Sequence, residues 1–443
     1  MRSWSIIAAA LALLLAAGCM PDTDGVNPPN DRFIYPVGIA GVAGGDRLMV
    51  LNSNFDLEYN SGTLMLIDVG DLESRFDDPS SEVSRDGQYL FIDESELAIE
   101  EETIRVGAYA SDLELTPSGE RAIIPVRGER AILLVDVGGP EDGDLLSCGE
   151  GGDRRCDSAH RVESNDDHSL PIEPYEVAAL DYPEPVSGNT TTLGFATHLA
   201  GGEVSLFVVE DGSAGGQAEG ELIDVLGGVV PGASGIAVNP VSREVYVSGR
   251  SQQAQVAVLE VLTDTQTGQY SYNPFFGQVS HIDLGNEMYA GTDGRGLAVT
   301  SGGERVYMAT RTPSALLELD ADSHEMVDMT SVCTDPSVVA LYEDDAGIAS
   351  EAGDVTYAFV LCFLTGKVFI VDTELMMVMA VQSVGEGPHA IYFDRSRRLA
   401  YVANFSESTI SIIEVRPPYF NLLRDDAGRI VKIGRPRLPE GHD

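Results

Sequence analysis

Lysine is almost absent: Lys367 and Lys432 are the only two in 443 residues, and 27 basic side chains stand against 71 acidic ones, for a formal charge of −44. Such a field repels phosphate backbones and anionic lipid headgroups, which argues against nucleic-acid binding. A solvated acidic surface accounts for the excess; a calcium-loaded surface is the alternative, and no other cofactor is expected. Cysteine is scarce, with five in the chain, and no Cys-x-x-Cys-His occurs, so covalent c-type haem is excluded. Also missing are a Gly-x-Ser-x-Gly elbow, a P-loop and a dinucleotide fingerprint in context. Past the N-terminus there is no apolar run long enough to span a bilayer.

The first residues read as an export signal. Arg2, the apolar run Ile6 to Ala17 and the small residues before Cys19 fit a cleaved segment of 1–18. Leu15 to Cys19 (Leu-Ala-Ala-Gly-Cys) resembles a bacterial lipobox, although Ala16 stands where leucine is usual. That resemblance implies lipidation of Cys19 and, with Met20 following it, an outer-membrane lipoprotein of the cell envelope facing the periplasm or the surface. Residues 19–32 then form the lipidated cysteine and a polar tether. Four cysteines remain, and in an oxidising compartment the simplest of three connectivities is local: Cys148 with Cys156 and Cys333 with Cys362.

The body of the chain, 33–415, repeats one pattern. Glu386 to Val415 contains three alternating apolar runs separated by polar turns, which is a three-stranded antiparallel meander. Matching segments begin at Pro36, Ala110, Pro174, Ala233, Gly294, Pro336 and Pro388, and the stretches between them can supply a fourth, outer strand. One meander cannot bury its own apolar face, so the copies must pack on one another. The expectation is all-β: a seven-bladed β-propeller of four-stranded antiparallel blades. Ring closure is open between Arg32 to Val37 and Arg429 to Gly434, the latter inside the 416–443 tail; the N-terminal segment is preferred because it directly precedes the first repeat. Asp71 to Glu102 and Gly138 to Ile172 are acidic insertions.

Tyr401-Val-Ala-Asn404, with the weaker copies Tyr246-Val-Ser-Gly249 and Tyr307-Met-Ala-Thr310, resembles the signature of the YVTN-repeat (YncE-like) β-propellers. The resemblance implies the fold and says little of function, because such propellers host binding proteins, lactonases and redox domains alike.

Two repeat positions should face one end of the central channel. The residue after each blade-opening residue gives Val37, Ser111, Tyr175, Ser234, Arg295, Ser337 and His389; the turn after each second strand gives Ser53, Arg127, His198, Arg250, Arg311, Phe363 and Phe405. The result is a basic arc opposite an aromatic one. Candidate ligand contacts are therefore Arg127, Tyr175, His198, Arg250, Arg295, Arg311, Phe363, His389 and Phe405, for a small anionic or partly aromatic ligand or an acidic peptide segment. The competing reading pairs each arginine with a local acid such as Asp112 or Glu176 to knit the blades together. No metal spacing is met, although His160 and His168 lie near Asp153, Asp157, Asp166 and Asp167.

The function expected is a monomeric, lipid-anchored binding scaffold for an envelope protein or small ligand. The alternative is a lactone or ester hydrolase, with His389 beside Glu386 as general base and Arg295 as oxyanion partner.

Overall fold

The computed structural model describes residues 25–42, 45–138, 145–149, 152–183, 190–209, 220–250, 255–263, 274–284, 292–343 and 355–435. The signal segment and Cys19 lie outside these residues.

The second and third strands of each sheet carry the core. Runs such as Leu48 to Leu51, Leu64 to Ile67, and Ala400 to Ala403 are fully buried, because both faces of a strand are covered when sheets stack face to face. The first strands pack against one another around an axis. Blade one consists of Pro36–Gly41, Arg47–Asn52, Gly62–Asp68 and Ile104–Val106. Blade two consists of Glu114–Leu115, Arg121–Val126, Ala131–Val137 and Leu146–Ser147, with Arg161–Val162 also paired to its third strand. Blades three to six open at Pro174–Pro183, Ala233–Val238, Thr292–Val299 and Pro336–Glu343, and each has four antiparallel strands in sequence order.

The expectation of seven uniform blades is corrected here. The molecule has six blades built on a four-stranded antiparallel path, not seven. The remaining sheet is a seven-stranded mixed sheet that starts with Pro388–Asp394, Leu399–Asn404 and Thr409–Arg416 and then recruits strands from the C-terminal tail and from the Asp71 to Glu102 insertion of blade one. Ile430–Ile433 pairs antiparallel with Thr409–Arg416, and Tyr89–Ile92 runs parallel to it on the other side. The preference for an N-terminal closing strand is thereby overturned. Phe33 and Ile34 are buried outside any strand, and the backbone there is held by side chains, with the Ile34 N–H donating to Asn52 Oδ1 at 2.9 Å. The insertion at Asp71 to Glu102, read in sequence as a loop, supplies Glu82–Val83 and Tyr89–Ile92 to this sheet.

Both local disulfides are formed, Cys148–Cys156 and Cys333–Cys362.

Candidate functional site

Each of the seven repeats begins at a left-handed residue directly before the blade-opening position: Tyr35, Tyr109, Glu173, Gly232, Asp293, Asp335 and Gly387, with φ between 52° and 68°. Non-glycine residues adopt this conformation rarely, so its recurrence marks a constrained turn from the rim into the channel. The left-handed residue's carbonyl then accepts the N–H of the residue that follows the second strand. Tyr35 takes Ser53 at 3.1 Å, Tyr109 takes Arg127 at 3.2 Å, Gly232 takes Arg250 at 2.9 Å and Gly387 takes Phe405 at 2.8 Å. One backbone hydrogen bond thus aims a side chain of each such blade at the same mouth.

The two repeat positions read from the sequence converge there, apart from Ser234 and His198, on one cavity of about 490 Å³. That size suits a small-molecule or side-chain guest. One side is basic. Arg127 pairs with Glu173 at 3.2 Å, Arg295 with Asp293 at 2.7 Å and Arg311 with Asp335 at 2.5 Å. Arg250 differs: its guanidinium lies 4.5 Å from the centroid of the Tyr175 ring and makes no ion pair among the described residues. Burial, and after it Arg250, lower Arg295 from its ordinary value, while Asp293 offsets part of this. The opposite side is aromatic. Phe405 stands 5.8 Å from Phe363, 5.4 Å from Phe55 and 6.0 Å from His389, and Phe55 continues the row to Tyr109 at 5.8 Å.

The inner wall is acidic. Glu176 lines the cavity and is pushed up to about 8, first by burial and next by Asp112, against the pull of Arg250 and Arg295. Asp112 is raised to about 6 by burial, although its oxygens accept the Val177 and Leu113 N–H groups at 2.9 Å. Asp112 and Glu176 were named in sequence as arginine partners. The ion pairs of Arg127, Arg311 and Arg295 instead use Glu173 and Asp335, which link a mouth arginine to the start of the next blade, and Asp293.

His198 is not at the mouth. The repeat register in blade three lies one residue later than expected: His198 pairs with Pro174 as Asn52 pairs with Pro36 and Asn404 with Pro388, and Leu199 takes the backbone position that Arg127 and Arg250 hold in their blades, its N–H reaching the Glu173 carbonyl at 3.2 Å. A one-residue shift in a strand moves a side chain to the other face. His198 is fully buried, its Nδ1–H donating to the Ile172 carbonyl at 3.2 Å and its Nε2 accepting the Ser205 hydroxyl at 2.7 Å. Asn404 fills the equivalent place with the reverse polarity, accepting the Gly385 N–H at 3.0 Å and donating to Thr409 and Ser411 at 3.0 Å. Burial accordingly lowers His198 to about 4. Ser234 is also buried and stitches blades, donating to the Gly294 carbonyl at 3.2 Å.

Residues missed in sequence are Phe55, Tyr109, Asp335 and Leu364, all lining the cavity. Tyr109 and Asp335 could have been found from the position preceding the blade-opening residue. Phe55 sits in the longer blade-one turn and has no repeat counterpart. Of the residues weighed for hydrolysis, His389 donates Nδ1–H to the Val37 carbonyl at 3.0 Å, whereas Glu386 is exposed and its N–H goes to Glu407 at 2.9 Å. Burial, chiefly, lowers His389 below its usual value. His160 is buried between Asp157 at 2.7 Å and Asp136 at 3.5 Å, and no cluster of three metal-ligating side chains occurs among the described residues.

Comparison with known proteins yields no matching family model and no matching curated protein sequence. Among solved structures, the chain is similar to a protein from Lactobacillus plantarum (14% identity, 80% of this chain and 86% of that one, TM-score 0.47). It is also similar to the β-propeller domain of Myceliophteria thermophila Cps50 (Swd1) (11% identity, 87% and 98%, TM-score 0.49). A third similarity is to Chaetomium thermophilum Sqt1 bound to the N-terminus of the ribosomal protein L10 (12% identity, 90% and 88%, TM-score 0.53). At these identities the likeness to Sqt1 carries the fold alone: the chain is a β-propeller.

Proposed function

We propose that this protein is a cell-envelope binding scaffold whose channel mouth takes the anionic group of a ligand that also presents an apolar or aromatic portion. The observation that carries this reading is the cavity's two-sided lining. Four arginines face a row of aromatic rings in a chain of formal charge −44, and three of the four are matched by carboxylates while Arg250 is not. A guanidinium in a partly desolvated mouth binds carboxylate well, and the rings supply apolar area. Sqt1, a propeller bound to a protein terminus, supports a scaffold role at the level of fold only. The lipobox-like Leu15 to Cys19 and the Tyr401 to Asn404 motif support, from sequence, an acylated outer-membrane protein of the YVTN-repeat kind.

Titration of the purified full chain with 2-naphthoate and with its neutral amide tests the mouth. The carboxylate should bind more tightly than the amide, and Arg250→Ala should abolish the difference. Equal binding of the two, or a preference that survives in Arg250→Ala, defeats the reading.

A further inference from the structure

The apolar lining does not stop at the cavity. Phe55 is 51% exposed, Leu57 52% and Leu364 71%, and Phe55 and Leu364 both line the cavity wall that continues onto the rim. Phe55 packs on Phe405 at 5.4 Å, and Phe405 on Phe363 at 5.8 Å, so the rim residues extend an ordered aromatic row outward. Large side chains so placed leave water in contact with apolar surface that a guest confined to the cavity would not cover.

The charge count limits what can enter. The mouth holds Arg127, Arg250, Arg295 and Arg311, and Glu173, Asp293 and Asp335 match three of them. With the buried Glu176 carboxyl of the lining raised to about 8 and so holding its proton near neutral pH, the remainder is a single positive charge, on Arg250, over the Tyr175 ring. Beyond the mouth, the net field of the chain repels negative charge. A guest with one carboxylate is accommodated; one with a run of carboxylates has its further charges outside the arc, in a repulsive field.

Building on the anion-binding mouth, we propose that its occupant is a segment of a partner polypeptide that inserts one carboxylate beside Arg250 and lays flanking apolar side chains over Phe55, Leu57 and Leu364. The single acid is the anchor, and the apolar neighbours supply affinity. The same charge count makes the site select against polyacidic segments, a discrimination by repulsion more than by added contacts.

The test uses the full chain and three fluorescent or competing probes: an end-capped octapeptide of leucine and phenylalanine with one central glutamate, its glutamine counterpart, and 2-naphthoate. The glutamate peptide is expected to bind at least about tenfold more tightly than the glutamine peptide, and Arg250→Ala should remove that ratio. The variant Leu57→Ser, at an exposed position outside the cavity lining, should weaken the glutamate peptide about fivefold and leave 2-naphthoate unchanged. A thermal melt of each variant checks that the fold is kept. If the rim variant binds the peptide as the parent does, or the peptide binds no better than 2-naphthoate, the polypeptide inference is overturned while the anion-binding mouth stands. If 2-naphthoate and both peptides bind independently of Arg250, both fall.

Discussion

Replacing Glu176 with glutamine removes one ionisable group from the cavity while keeping an oxygen for the Ile236 N–H that its carboxyl accepts. Burial and Asp112 raise this carboxyl from an ordinary 4.5 to about 8 in the folded protein. The native state therefore holds the proton more tightly than the unfolded chain does. Its contribution is fully present below about pH 4.5 and is lost as pH rises through about 8. Each pH unit crossed between those values withdraws up to about 1.4 kcal/mol, an upper bound near 5 kcal/mol. Solvent reaching the cavity and the shared titration with Asp112 lower the working figure to about 2 kcal/mol. Glu176→Gln has no proton to lose, so its stability relative to the parent should rise by that amount between pH 5 and pH 9. For a chain of this size that is a relative gain of roughly 3 °C in Tm. Melts followed by circular dichroism at pH 5, 7 and 9 measure it. A difference between variant and parent that is constant with pH, or larger at pH 5, refutes the account of Glu176 as a buried, proton-holding acid.

Other expectations follow from the same geometry. His198→Ala should cost about 1–3 kcal/mol in chemical denaturation by orphaning Ser205 and the Ile172 carbonyl, whereas His198→Asn should recover most of it, since Asn52 and Asn404 serve at the equivalent position; equal losses would contradict that equivalence. Asn404→Ala, which leaves the buried Gly385 N–H without its acceptor, should lower the denaturation midpoint by a comparable amount, and an unchanged midpoint would show the network to be dispensable. Cys333→Ala opens a bridge spanning a 29-residue separation beside Asp335. It should cost about 2–4 kcal/mol and weaken anion binding, and a destabilised variant with parental affinity would separate the staple from the mouth.

Much of the repeat was legible because period-two alternation and polar turns are local. The opening residues Pro36, Pro174, Ala233, Pro336 and Pro388 are the first residues of observed strands, and Arg127, Arg250, Arg295 and Arg311 share one cavity because the same backbone frame recurs in each copy. Where the repeat degrades, local pattern stops being decisive. His198 and Leu199 are both compatible with the end of a strand, and only the pairing of Pro174 with His198 assigns the buried place to the histidine.

Local composition by itself determined the all-β class, the acid excess and the basic and aromatic residues available to a mouth, since these depend on residue type and short spacing, while for the disulfides it offered the local pairing only as the simplest of three that the structure then chose between. Tertiary structure alone decided how the ring closes, by bringing Tyr89–Ile92 and Ile430–Ile433 side by side from distant parts of the chain. It also decided which mouth arginine makes no ion pair among the described residues, Arg250. Arg127 and Arg311 meet acids at the start of the next blade, whereas Asp293, at the corresponding position after Arg250, is engaged by Arg295. Ion pairing depends on separations of a few ångströms between residues far apart in sequence, and those distances exist only once the blades are packed around their axis.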